Sequence, residues 1–89
     1  NNDVQFLNAY GSLLNQSGDF QKAIELFEKS ININMSNPAI IFFLISCYLQ
    51  TDRLEMIPDI IEKAEKRYEN IPQVMAKMNQ LKSQLLAIN

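Results

Sequence analysis

Eighty-nine residues leave room for one small domain or for a few repeats of a smaller unit. Apolar residues make up 47% of the chain and charged ones 20%, which is enough for a core and too little charge for a disordered tail. The formal net charge of −2 argues against nucleic acid or an anionic membrane as the main partner, and the absence of His with a single Cys excludes an internal disulfide framework, a His or multi-Cys metal site and catalysis built on His.

Two Gly and three Pro are few breakers for this length, so long helices are expected rather than many turns. The chain opens Asn1-Asn2-Asp3 without Met, as an excised or processed segment does, and no signal-peptide pattern follows. Over residues 3–16, Val4, Leu7, Gly11 and Leu14 recur at three- and four-residue steps and share one helical face. Phe6, Tyr10 and Leu13 form a second stripe. Ser17-Gly18-Asp19 breaks the pattern. Over 20–33, Phe20, Ala23, Ile24, Phe27 and Ile31 hold the same period, and Asn32, Asn34, Ser36 and Asn37 end it with turn chemistry.

Residues 38–50 are apolar nearly all round, so this helix must be covered on more than one side. Asn37 can cap it and Pro38 suits its first position. The run from Ala39 to Leu49, broken only by Ser46, is about half the ~20 residues of a membrane span and reads as a core helix. Thr51-Asp52-Arg53 ends it. A fourth segment, 54–68, places Leu54, Ile57, Ile61, Ala64 and Tyr68 on one face. If this helix begins at Arg53 or Leu54, Pro58 falls past its first turn, so either the helix starts nearer Met56 or its first turn is distorted; distortion is the favoured reading, because Asp52 and Glu55 have the spacing of a capping box. A fifth segment, 72–88, carries a narrower stripe: Val74, Met78, Leu81, Leu85 and Ile88.

Laid on itself at an offset of 34, the chain aligns Pro38 with Pro72, Leu14 with Tyr48, Phe20 with Leu54, Phe27 with Ile61 and Ser30 with Ala64. Large, small and turn positions coincide together. With Leu7, Tyr10, Gly11, Leu14, Gly18, Phe20, Ala23 and Phe27 in its first unit, the chain resembles the tetratricopeptide repeat family. The resemblance implies an all-α fold of helical hairpins in a right-handed superhelical stack: one repeat over 3–37, a looser one over 38–71, and a capping helix over 72–88. Gly11 and Ala23 would stand where the two helices of a repeat cross, with Leu14, Phe20 and Phe27 filling the space around them. Ile45 replaces the small residue in the second unit, which sets that helix pair further apart, and Met35 stands where the family often has Pro.

The resemblance also implies a protein-interaction or scaffold module. The residues offer no nucleophile–base arrangement, no Gly-rich phosphate loop, no metal-ligand set and no apolar run of membrane length, so neither an enzyme, a cofactor, a metal nor membrane insertion is expected. The groove line that the resemblance implies falls on Gln5, Asn8, Ser12 and Asn15, then on Ala39, Phe42, Ser46 and Leu49, and continues through Ala76, Gln80 and Ser83. Of these, Asn8, Ser12, Asn15, Phe42, Ser46 and Leu49 are the candidate contacts for a peptide or partner domain. Amides offer both donors and acceptors to a peptide backbone, and Phe42 and Leu49 offer an apolar wall. Plain solvated helix surface is the alternative for the Asn positions, since the chain holds ten Asn. No Lys or Arg stands on the line in either repeat, which argues against a clamp for a terminal carboxylate. Phe6, Tyr10 and Leu13 either pack on the next helices or form an end surface for a preceding repeat or a second copy. The alternative to groove binding is therefore a structural segment of a longer solenoid, or a self-associating unit. Cys47 reads as a core thiol, and the lone Cys permits the cytoplasm as the default compartment.

Overall fold

The computed structural model describes residues 3–88, which form five α-helices: α1 Val4–Gln16, α2 Phe20–Ile33, α3 Pro38–Gln50, α4 Ile57–Tyr68 and α5 Pro72–Ile88. A 3-10 turn, Leu54–Met56, precedes α4, and there is no strand among the described residues. Asn1 and Asn2, and the side chain of Ile88 expected on the α5 stripe, lie outside the described residues.

The helix starts follow from their caps. Asp3 accepts from the amides of Gln5 and Phe6, Asp19 from that of Lys22, and Asn37 from that of Ala39. Each side chain satisfies an amide that has no partner inside its own helix.

The repeat is visible in the backbone. The turn after α1 is held by Ser17 N to Leu13 O, Gly18 N to Asn15 O and Asp19 N to Leu14 O. The turn after α3 repeats these bonds 34 residues later: Thr51 N to Cys47 O, Asp52 N to Leu49 O and Arg53 N to Tyr48 O. Gly18 and Asp52 hold the matching left-handed position, with φ of 86° and 58°. Gly adopts it freely, and Asp is among the few other residues that tolerate it.

This geometry corrects the expected capping box. Asp52 sits in the turn and does not cap the next helix. The residue matching the capping Asp19 is Arg53, whose side chain has no acceptor to offer and makes no cap hydrogen bond. The chain therefore takes one 3-10 turn before α4 begins at Ile57. Pro58 then lies in the first helical turn, where its missing N–H breaks no helical bond.

The core runs through α2, α3 and α4, with Met78 inserted from α5. Phe27 is wholly buried, and its ring lies 6.0 Å from that of Phe43. Facing it on α1 is Gly11: a Cβ built there would stand 2.6 Å from Phe27 Cε1. The absence of a side chain thus brings α1 against α2. At the second crossing Ile45 replaces the glycine, and α3 touches α4 less closely than α1 touches α2.

Two tyrosines tie the layers. Tyr48 on α3 donates to Glu28 Oε2 on α2 at 2.5 Å. Burial, then the Glu28 carboxylate, push this phenol well above its ordinary value. Tyr68 at the end of α4 donates to the carbonyl of Met35, fixing the segment between α2 and α3, and burial raises its phenol as well.

Candidate functional site

The helical period brings Asn8, Ser12 and Asn15 onto one side of α1, and the structure engages two of them with neighbouring helices. Asn8 is half-buried and its Oδ1 accepts from Ser30 Oγ of α2 at 2.5 Å. Ser30 is the one buried polar residue among those described, and this bond satisfies its hydroxyl. Asn15, also half-buried, accepts from Cys47 Sγ of α3 at 3.5 Å. The Cys47 thiol is wholly buried and its pKa is raised by that burial, as expected of a core thiol. Ser12 lies half-buried between the two amides.

Both carbonyl oxygens are thus committed to internal bonds. Neither amide nitrogen has a hydrogen-bond partner among the described residues. The internal bonds orient each side chain and leave an N–H2 group to donate. Seven residues apart on one helix, the two amides are separated by roughly 10 Å.

On α3, Ser46 is exposed, while Phe42 and Leu49 are half-buried and pack partly against the core. Lys77 of α5 sets its Nζ 4.4 Å from the centre of the Phe42 ring, a cation–π contact joining α3 to α5. Ala76, Gln80 and Ser83 of α5 are exposed. The Asn15–Cys47 contact joins α1 to α3, and the Phe42–Lys77 contact joins α3 to α5.

Lys77 is a residue the sequence reading passed over. It is adjacent to Ala76 on the predicted line, and that adjacency was the available signal. With it, one cation stands beside a row otherwise made of amides, hydroxyls and apolar groups.

The second stripe of α1 lies on the surface. Phe6 is 49% exposed, Tyr10 41% and Leu13 63%. The rings of Phe6 and Tyr10 lean on each other at 5.9 Å. The stripe does not pack on the following helices.

At the opposite end of the chain a groove of about 550 Å³ opens between α4 and α5. Leu54, Pro58 and Ile61 form one wall, and Leu85 and Leu86 the other. Lys82 Nζ meets Glu65 Oε2 at 2.8 Å on its rim. The sequence reading missed this groove too. Its signal was Leu85-Leu86, since two adjacent leucines cannot both face one narrow helical stripe.

Paired hairpins, a small-on-large crossing and a turn repeated at a spacing of 34 are then the structural context for the one family match. Residues 14–56 match the family model of the tetratricopeptide repeat. The chain carries a tetratricopeptide repeat. Comparison with curated proteins and with solved structures gives no match. The matched stretch begins inside α1, takes in α2 and α3, and ends at the 3-10 turn. It therefore bridges the division drawn at residue 38 and leaves Leu7, Tyr10 and Gly11 outside. Tetratricopeptide repeats form protein–protein interaction modules and are generally scaffolds rather than enzymes. No helix among the described residues is long and apolar enough to cross a membrane.

Proposed function

We propose that this tetratricopeptide repeat chain binds an extended peptide segment of a partner protein across α1, α3 and α5. The observation that carries the reading is the pair of oriented amides. Asn8 and Asn15 hold their oxygens in internal bonds and present N–H2 donors roughly 10 Å apart, the span of about three residues of extended chain. Backbone carbonyls of a peptide match that chemistry. Phe42 and Leu49 offer a half-exposed apolar wall beside it, and Lys77 supplies one positive charge. Ser46, exposed between Phe42 and Leu49, lies at the centre of the row.

The division into repeats over 3–37 and 38–71 with a capping helix over 72–88 belongs to the same proposal. The matching turns at Gly18 and Asp52 support it.

A thermal-shift screen with extended peptides tests the binding. A ligand held only by the folded chain, at 100 times its Kd, adds about 2.7 kcal/mol, which for this size raises Tm by roughly 10–20 °C. Ser46→Arg places a long charged side chain in the row at an exposed position. Its own stability should stay within about 0.5 kcal/mol of wild type, while the shift given by a peptide hit should disappear. A hit whose shift survives Ser46→Arg does not use this face, and the proposal fails for it.

A further inference from the structure

The valley between α4 and α5 is open, and we propose that it receives an amphipathic helix of a partner protein. That helix lies along α4 in the same direction, with aliphatic residues on its inner face and an Arg or Lys at its first turn. The extended peptide proposed above uses another face, so the two proposals stand or fall separately.

The chain covers the equivalent valley itself. Thirty-four residues before Ile57, Ile61 and Lys82 stand Ala23 and Phe27 of α2 and Tyr48 of α3. These three are buried, in one cluster with Ile57, Ile60, Ile61 and Ala64 of α4. Two hydrogen bonds show how α4 lies there. Arg53, at the 3-10 turn leading into α4, donates to Gln21 at the start of α2. Tyr68, at the end of α4, donates to Met35 just past the end of α2. Start meets start and end meets end, so α4 runs along α2 in the same direction. Its inner face, Ile57, Ile60, Ile61 and Ala64, has the i, i+3, i+4, i+7 spacing of a helix seated in a groove.

One repeat later the backbone does not make this move. Leu85, Leu86 and Ala87 stand in the places of Thr51, Asp52 and Arg53, which turn the chain back, and they continue α5 as helix. The valley is left as the groove of about 550 Å³. Its lining along α4 runs from Leu54 to Glu65, about three helical turns. That length suits the apolar face of a helix rather than a single inserted side chain.

Charge fixes which helix fits. Along the covered valley stand Gln21, Glu28, Ile31 and Met35, and their counterparts along the open one are Glu55, Glu62, Glu65 and Glu69. One carboxylate has become four. Lys82 holds Glu65 at 2.8 Å. Glu62 has only Lys66 at 3.3 Å, a pair so exposed that it contributes little. Lys63, Lys66 and Arg67 of α4 do not line the groove. Glu55 has no side-chain partner among the described residues. It stands where Gln21 accepts from Arg53, so an Arg at the start of an incoming helix meets a carboxylate there in place of an amide, the stronger acceptor. The exposed stripe of α1 does not meet this requirement, because α1 carries no Lys or Arg to offer Glu55.

Fluorescence anisotropy with the full chain tests this. The probe is a labelled alanine-based helical peptide of the length of Arg53–Tyr68, with Leu at the places of Ile57, Ile60, Ile61 and Ala64 and Arg at the place of Arg53. A second peptide carries Glu in place of that Arg. Wild type should bind the Arg peptide, and the Glu peptide roughly 3- to 10-fold more weakly. Leu86→Glu, at a position 74% exposed, should fold, which far-UV circular dichroism checks, and should bind neither peptide. Glu55→Lys, also at an exposed position, should reverse the order of the two peptides, a result that lost folding cannot give. Ser46→Arg, on the other face, should change neither affinity. No saturable binding of the Arg peptide, equal affinity for both peptides, or undiminished binding by Leu86→Glu overturns the proposal. So does a wild type that self-associates in sedimentation velocity and becomes monomeric on Leu86→Glu, since the occupant is then a second copy.

Discussion

Phe27→Ala is expected to destabilise the chain by about 3–5 kcal/mol, the range for deleting a fully buried aromatic side chain. Phe27 is wholly buried, fills the space over Gly11 and meets the Phe43 ring at 6.0 Å. The neighbours cannot collapse into the gap, because Gly11 has no side chain to move and α3 is held to α2 through Tyr48 and Glu28. A domain of this size holds only about 5–10 kcal/mol in total. The loss therefore takes a large share of it and lowers Tm by roughly 15–30 °C. Urea unfolding followed by circular dichroism measures it. A loss below about 1 kcal/mol would mean that the ring is not the wedge between α1, α2 and α3.

Gly11→Ala addresses the other side of the same contact. Two effects oppose each other. Alanine is the better helix former by about 1 kcal/mol. Yet its Cβ would lie 2.6, 3.0 and 3.1 Å from three carbons of the Phe27 ring, which is wholly buried and has nowhere to swing. Overpacking of this kind costs about 1–3 kcal/mol, so the net expectation is a loss of up to roughly 2 kcal/mol. The sign should reverse when the ring is removed. In a Phe27→Leu background, Gly11→Ala should be neutral or stabilising, giving a coupling of at least about 1 kcal/mol in the double-mutant cycle. Equal losses in both backgrounds would place the strain elsewhere.

How far this fold can be read from sequence depends on whether a residue's role is local. Asp19, Asn37, Pro38 and Pro72 act on the backbone within a turn of themselves, so α2, α3 and α5 begin and end where periodicity and caps place them. The start of α4 was less legible. Its cap position holds Arg53, and the apparent cap, Asp52, is drawn into a left-handed turn whose geometry Gly18 sets out more openly one repeat earlier. The Gly11–Phe27 wedge was legible through the resemblance to the tetratricopeptide repeat family, which implies a small residue where the two helices of a repeat cross and a large one facing it.

Contacts between helices were not legible in the same way. Asn8 meets Ser30, Asn15 meets Cys47 and Lys77 meets Phe42 only because of the angles at which the helices cross, and periodicity fixes a face without fixing its neighbour. The α4–α5 groove is a matter of what fails to fill a gap, and no single residue encodes it.

The peptide-binding row rests on α1, α3 and α5 lying side by side. A NOESY spectrum of the folded chain tests that arrangement directly. The account predicts cross-peaks from the Asn15 side-chain amide protons to the Cys47 β-protons, and from the Phe42 ring protons to the Lys77 ε-protons, the latter shifted upfield by the ring. Spectra that show all five helices but neither cross-peak, with α1 contacting α3 through Phe6 and Leu13 instead, would contradict it.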